Sequence, residues 1–332
     1  MINVSIIGAG VAGLTCACVL IDQGVSVTLY EQSDAIGSNA CSWYAGGMLA
    51  PWCESESAEQ WVLDHGIESI EWWDQHSSNL KRNGSLVLSM QRDKRDIQRY
   101  ASLTENHRWL NGAEINEMEP DLSGRFERGL FYADEAHLDS RLALQQLVAY
   151  LSAKDVEIQF EQSITAADCN SDYVIDCRGY SARHDLPGLR GVKGEMLLLK
   201  SNDISLSRAV RFVHPRNPLY IVPRAEGLFM LGATMIENDE RHRISARSML
   251  ELLSAAYALH PAFGEAEIIE IGVDVRPAFA NNLPQLRRNK NTLYVNGLYR
   301  HGFLLGPAIA KLAAQAILDE SKFLEVKPCS LS

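Results

Sequence analysis

The first thirty-one residues constrain the fold more than any other stretch. Ile2 to Ile7 is a short apolar run with the β-branched residues that suit a buried strand. It leads straight into Gly8-Ala9-Gly10-Val11-Ala12-Gly13, after which Leu14 to Asp22 reads as a helix closed by Gly24. Val25 to Tyr30 is a second buried strand, with Glu31 at its end, 18 positions after Gly13. Each residue type has a physical job in such a βαβ unit. Gly8 permits a tight turn, Gly10 lets backbone N–H groups approach a pyrophosphate, and Gly13 lets the helix lie against the strands. Val11 and Ala12, in the same turn, are read as further cofactor contacts at the positive end of the helix. Glu31 can accept from ribose hydroxyls and disfavours a 2′-phosphate, so FAD or NAD is expected, with Gln32 beside it. A lone glycine pattern can mark no more than a turn; here strand, helix, second strand and terminal acid all fall in register.

At 332 residues the chain can hold two domains and a large core. A net charge of −11 opposes nonspecific attachment to nucleic acid or an anionic membrane. Cysteines Cys16, Cys18, Cys41, Cys53, Cys169, Cys177 and Cys329 form no CxxC pair, so neither a metal site nor a disulfide framework is expected. The N-terminus reads as a strand, not as a signal peptide, and no apolar run is long enough to span a bilayer. A soluble cytoplasmic protein is expected.

Residues 38–52 mix small residues, glycine and three aromatics, a poor pattern for helix or strand. Ser42, Ala45, Gly46, Gly47 and Met48 suit a segment that passes close to a flat ligand. Ser57 to His76 reads as a helix, with Trp61, Ile67, Trp72 and Trp73 partly periodic and the tryptophans in the core. Strands are expected over 85–90, 129–133, 156–160 and 172–177, the last closed by Gly179, with helices over 93–103, 113–118 and 141–151. Asp139 or Ser140 can cap the last of these helices. Residues 192–270 read as antiparallel sheet interrupted by a helix over 246–258. Glu267 to Arg276 is one more strand, ended by Pro277. Thr292 to Gly297 then leads through an irregular stretch into a helix over 308–318.

The fold class that follows is α/β: a Rossmann-like FAD-binding domain with a second, antiparallel-sheet substrate domain. The first is expected to be discontinuous, from 1–84, 137–190 and 277–325. The second takes 85–136 and 191–276, and 326–332 is a tail.

The chain as a whole resembles the FAD-dependent D-amino-acid oxidase group, and within it the glycine oxidases of the thiamine pathway. The resemblance is carried by Gly8 to Gly13, Ala45-Gly46-Gly47-Met48-Leu49-Ala50-Pro51-Trp52-Cys53-Glu54, Val192 to Met196, Tyr220-Ile221-Val222-Pro223-Arg224, Gly232-Ala233-Thr234-Met235, Val275-Arg276-Pro277 and Arg300 to Pro307. It implies oxidation of glycine or another small amino acid to the imine, with O2 reduced to H2O2 and the imine supplied to thiazole synthase. By that resemblance Arg276 pairs with the substrate carboxylate and Tyr220 hydrogen-bonds it. Arg300 lies near both substrate and flavin, and Met235 forms a pocket wall. Leu298 to Leu305, including His301, Gly302, Phe303 and Leu304, is the loop around the flavin ring. The chain departs at Pro218, where some relatives carry a histidine near the pocket mouth. No cysteine occurs in 295–307, where the sarcosine oxidase branch attaches its flavin, so noncovalent FAD is expected. A homo-oligomer is expected. Taken alone, Arg276 could be a surface residue and Tyr220 a core tyrosine. Rival readings are a D-amino-acid dehydrogenase with an acceptor other than oxygen, and a non-catalytic FAD-binding maturation or scaffold protein.

Overall fold

The computed structural model describes residues 2–319 apart from 38, 215–217 and 242. The tail at 326–332, the end of the 277–325 segment, Cys329 and Ser38 lie outside the described residues. The chain runs β1 (Asn3–Ile7), α1 (Val11–Asp22), β2 (Ser26–Tyr30), β3 (Met48–Leu49), α2 (Pro51–Glu54) and α3 (Gln60–His76). It continues through β4 (Ser85–Leu88), α4 (Lys94–Ser102), β5 (Arg108–Asn111), α5 (Gly112–Met118), β6 (Arg128–Tyr132), β7 (Ala136–His137), α6 (Ser140–Ser152), β8 (Glu157–Gln159) and β9 (Tyr173–Asp176). It ends with β10 (Arg190–Lys200), β11 (Ala209–Phe212), β12 (Leu219–Pro223), β13 (Leu228–Gly232), α7 (Ala246–Leu259), β14 (Glu267–Ala278), β15 (Gln285–Asn289), β16 (Thr292–Asn296) and α8 (Gly302–Leu318).

Two large sheets result. The first has order β15-β16-β9-β1-β2-β8 and is parallel except for the β15–β16 hairpin. Its inner strands are short and carry apolar residues such as Ile6, Leu29, Ile175 and Val295, and α1, α3, α6 and α8 share one core with them, as parallel strands buried by helices require. The second has order β14-β10-β13-β12-β11-β4-β6-β5 and is antiparallel except where β4 meets β11. Helix α7 covers it from a separate core that includes Leu252, Ala256, Leu197 and Phe229. Among the described residues no helix is long and apolar enough to cross a membrane.

Several expectations need correction. The strand containing Arg276 does not stop at Pro277 but runs to Ala278. β14 is an edge strand, so a ring without an N–H breaks no ladder there, and the Pro277 carbonyl turns outward to accept from Tyr299 N–H at 3.0 Å. The stretch before 308 is not all loop: α8 already begins at Gly302 and contains Pro307. Proline there removes the donor that Phe303 would have received, and the Trp73 indole supplies it instead, Nε1 to Phe303 O at 2.7 Å. The 38–52 stretch also contains β3 and α2, and β15 went unread. Ile67 is exposed on α3, whereas Trp72 and Trp73 are buried and Trp61 is partly buried. Asp139 caps α6, accepting from the Arg141 and Leu142 N–H groups.

Candidate active site

One cavity of about 750 Å3 runs from the glycine turn at the end of β1 to the face of the eight-stranded sheet. Its near end is built by backbone. Gly8 takes φ +98, and a Cβ there would sit 2.8 Å from the Cys177 carbonyl. Gly13 does not line the cavity; it lies behind it, where any side chain would collide with the Gly8 carbonyl. Gly10, Val11 and Ala12 do line it. The helix they open has no side-chain cap of its own, and Val11 N–H donates to Ser42 Oγ at 3.3 Å. An N-terminus of this kind, facing a cavity, suits a phosphate.

Glu31 and Gln32 stand beside it. The Glu31 carboxylate accepts from Ala9 N–H at 2.8 Å and from Ser33 N–H at 2.9 Å. These bonds fix its orientation, and each oxygen keeps a lone pair for a hydroxyl donor. Ala45, Gly46, Gly47 and Met48 form a further wall, anchored from below by Arg224, which donates to Leu138 O at 2.5 Å and to Gly46 O at 3.0 Å. Gly179, His301, Gly302, Phe303 and Leu304 also line the cavity, whereas Leu305, on α8, is wholly buried in the core. The cradle of side-chain-free backbone, the uncapped helix and the adjacent carboxylate fit the dinucleotide part of FAD.

The far end is built by strand register. Arg211 pairs with Tyr220, and Tyr220 with Gly232, across neighbouring strands, so all three share the face that meets the cavity. Arg276 reaches the same face from β14; Nη1 donates to Thr234 O at 2.9 Å. Among the described residues the Arg276 side chain makes that one hydrogen bond and no ion pair within 4.0 Å. Tyr220 is partly buried, and its desolvation raises its pKa against the opposing effect of Arg276, which keeps the phenol a donor. Met235 is exposed at 52% and lies at the rim, its sulfur 3.4 Å from Tyr299 Oη and 3.7 Å from Arg300 Nη1. Pro218 lines the cavity too.

Arg300 is differently placed. Its Nη2 donates to Ser57 Oγ at 2.6 Å and pairs with Glu54 Oε2 at 2.8 Å. His301 Nε2 meets the same oxygen at 2.9 Å, and Arg211 Nη2 pairs with the other. Burial opposes ionisation of Glu54, but Arg300, Arg211 and the His301 hydrogen bond hold its carboxyl well below the usual range. Glu54 is therefore an anion committed to its neighbours and not a free proton acceptor. Neither Glu54 nor Arg211 was read as functional from sequence. One signal was there: an arginine inside the apolar strand segment Ala209–Phe212 needs a buried anionic partner.

The FAD dependent oxidoreductase family matches residues 3–316. A Rhizobium etli protein with the provisional name thiamine biosynthesis oxidoreductase ThiO is 50% identical over 315 residues, covering 94% of this chain and 95% of its own. A Synechocystis bifunctional protein ThiO/ThiG is 25% identical, and the match covers 96% of this chain but 52% of that protein. The crystal structure of glycine oxidase from Geobacillus kaustophilus superposes with a TM-score of 0.80 at 22% identity, covering 100% of this chain and 97% of that one. Family match, glycine cradle and sheet-face cavity agree, and the chain belongs to the FAD dependent oxidoreductase family.

Proposed function

We propose that the protein oxidises glycine and other small amino acids to the imine while O2 is reduced to H2O2. The single observation that carries this reading is Arg276, a guanidinium beside Tyr220 on the cavity face with no carboxylate paired to it among the described residues. A planar guanidinium takes a carboxylate through two parallel hydrogen bonds and so fixes the direction of the Cα–H bond. Tyr220 donates to the same carboxylate. FAD, when bound, supplies the two-electron acceptor that oxygen regenerates. Glu54 carries no proton at neutral pH and is already bonded to three cationic or donor groups, so it does not take one from the substrate. The substrate amine arrives neutral, and turnover rises with pH from neutral upward.

The labour divides along the chain: segments 1–84, 137–190 and 277–325 hold the cofactor, while 85–136 and 191–276 hold the substrate. FAD is held without a covalent bond, which agrees with the absence of cysteine from 295–307. The imine is passed on to thiazole synthase, a role suggested by the ThiO relative and by the ThiO/ThiG fusion. Met235, at the rim, forms one wall of the substrate pocket.

The test uses the purified holoprotein. Acid precipitation should release all flavin as FAD. Anaerobic addition of glycine, sarcosine or D-alanine should bleach the flavin, and air should restore it with one H2O2 per turnover. A bleached protein that air does not reoxidise points to the dehydrogenase reading. Flavin that none of the three amines bleaches sinks the proposal.

A further inference from the structure

Gly194 sits in the middle of β10, where glycine weakens a strand and needs a reason. Its φ is not positive, so backbone conformation supplies none. The reason lies across the ladder. β10 and β14 pair Val192 with Arg276 and Gly194 with Asp274, so the Arg276 side chain leans diagonally over Gly194. A Cβ at 194 would lie 2.8 Å from Nη1 and closer still to Nη2 and Cζ of Arg276. Carbon atoms in contact keep about 3.5–4.0 Å apart, so the guanidinium could not stay where it is. The obstructed atoms are the far end of a flexible side chain, and the main chain of both strands is untouched.

Tyr220 is seated in the same manner. A Cβ at Gly232 would come 2.6 Å from its hydroxyl, and one at Gly46 would come 2.7 Å from the Cε2 of its ring. Gly232 also has no positive φ.

We propose that Gly194 is a specificity-determining positioning residue: the missing side chain is the seat on which Arg276 lies flat, and Gly232 with Gly46 does the same for Tyr220. This rests on the reading of Arg276 as the carboxylate clamp. Any larger residue at 194 lifts the guanidinium off the sheet, breaks its bond to Thr234 O, and tilts it out of the plane that meets a carboxylate. Since misplacement by about 1 Å costs on the order of 100-fold where orientation matters, the effect should fall on carboxylate binding and leave the fold intact.

The experiment is a double-mutant cycle on the holoprotein with glycolate, a carboxylate that is not an amine, titrated against the flavin spectrum. Gly194→Ala should keep its flavin and melt within a few degrees of the parent. Its half-saturating glycolate concentration should rise about 10- to 100-fold. In the Arg276→Ala background the same change should add nothing, because the group it displaces is gone. Unchanged glycolate binding in Gly194→Ala, or losses that multiply in the double variant, would overturn the proposal. If Gly194→Ala loses flavin or fold, Gly194→Ala with Arg276→Ala must regain both; a double variant that stays unfolded also overturns it. An Arg276→Ala protein that binds glycolate like the parent marks a different failure, that of the clamp itself.

Discussion

Two arginines face the same cavity, and their surroundings differ. Arg276 lies on a glycine and, among the described residues, has one backbone carbonyl as its hydrogen-bond partner and no carboxylate. Arg300 is tied to Ser57 and to Glu54, and Glu54 is shared in turn with His301 and Arg211. An unpaired guanidinium is available to an incoming anion, whereas one already paired offers only what its partner leaves. On the proposed reading the two sides of the substrate end separate recognition from scaffolding: Arg276 is the group that takes the carboxylate, and the Glu54 cluster, with its paired charges, holds one wall of the pocket.

The comparison is most exposed at Arg276. Arg276→Ala should retain flavin and fold, because the glycine turn and α8 lie on the other sheet. It should lose about 30- to 5,000-fold in catalytic efficiency with glycine, the 2–5 kcal/mol cost of a carboxylate deprived of its partner. Arg276→Lys should recover only part, since an ammonium cannot make the two parallel bonds. Steady-state kinetics on both variants checks this. Near-normal glycine turnover by the alanine variant removes the clamp from the account.

At the Glu54 cluster the expected loss is in stability. Glu54→Gln leaves Arg211, a largely buried cation, without its anion, at a cost of about 3–5 kcal/mol. Because folding lowers the Glu54 pKa from its ordinary value of 4.5, its contribution is complete above about pH 4.5 and disappears as pH falls through the folded value. Melting curves of parent and variant should therefore differ most at neutral pH and converge in acid. A difference that grows on acidification would contradict the ion-pair role.

Behind that cluster, Glu135 makes the opposite prediction. It is buried and accepts Cys53 N–H at 2.7 Å, and burial pushes its pKa up to about 7. Folding raises this pKa, so the parent carries no penalty below about pH 4.5, a growing one as pH rises from there through about 7, and the full cost above it. Glu135→Gln should be close to neutral at pH 5 and stabilising by up to about 3 kcal/mol at pH 8. Thermal unfolding at the two pH values checks it, and an effect of equal size at both would show that Glu135 does not change its charge in this range.

The same contrast explains what could be read from sequence. The cofactor end is made of contiguous residues whose spacing is itself the geometry, so Gly8, Gly10 and Glu31 were legible in order. The substrate end is assembled by strand register. Glu54 and Arg211 meet across 157 positions, and no local pattern announces the pair. Arg276, Tyr220 and Arg300 were found through a family resemblance carried by their motifs, but that resemblance says nothing about which arginine is already spoken for. Pro277 misled because proline reads as a strand end unless the strand is known to be an edge. The start of α8 was hidden by Gly302 and Pro307, whose helix-breaking cost is offset by Trp73 from another helix. β15 is a polar strand, and its hairpin turns at Lys290 with φ 54, where a glycine or asparagine is usually the clue.

The most direct test of the division between the two arginines is rapid anaerobic mixing of glycine with the parent, Arg276→Ala and Arg300→Ala holoproteins. The quantity to measure is the glycine concentration that gives half the maximal rate of flavin bleaching. The account predicts a rise of at least about 30-fold for Arg276→Ala and of less than about 10-fold for Arg300→Ala, whose loss is limited to about 1 kcal/mol of partly compensated charge. Equal rises, or a larger one for Arg300→Ala, would contradict it.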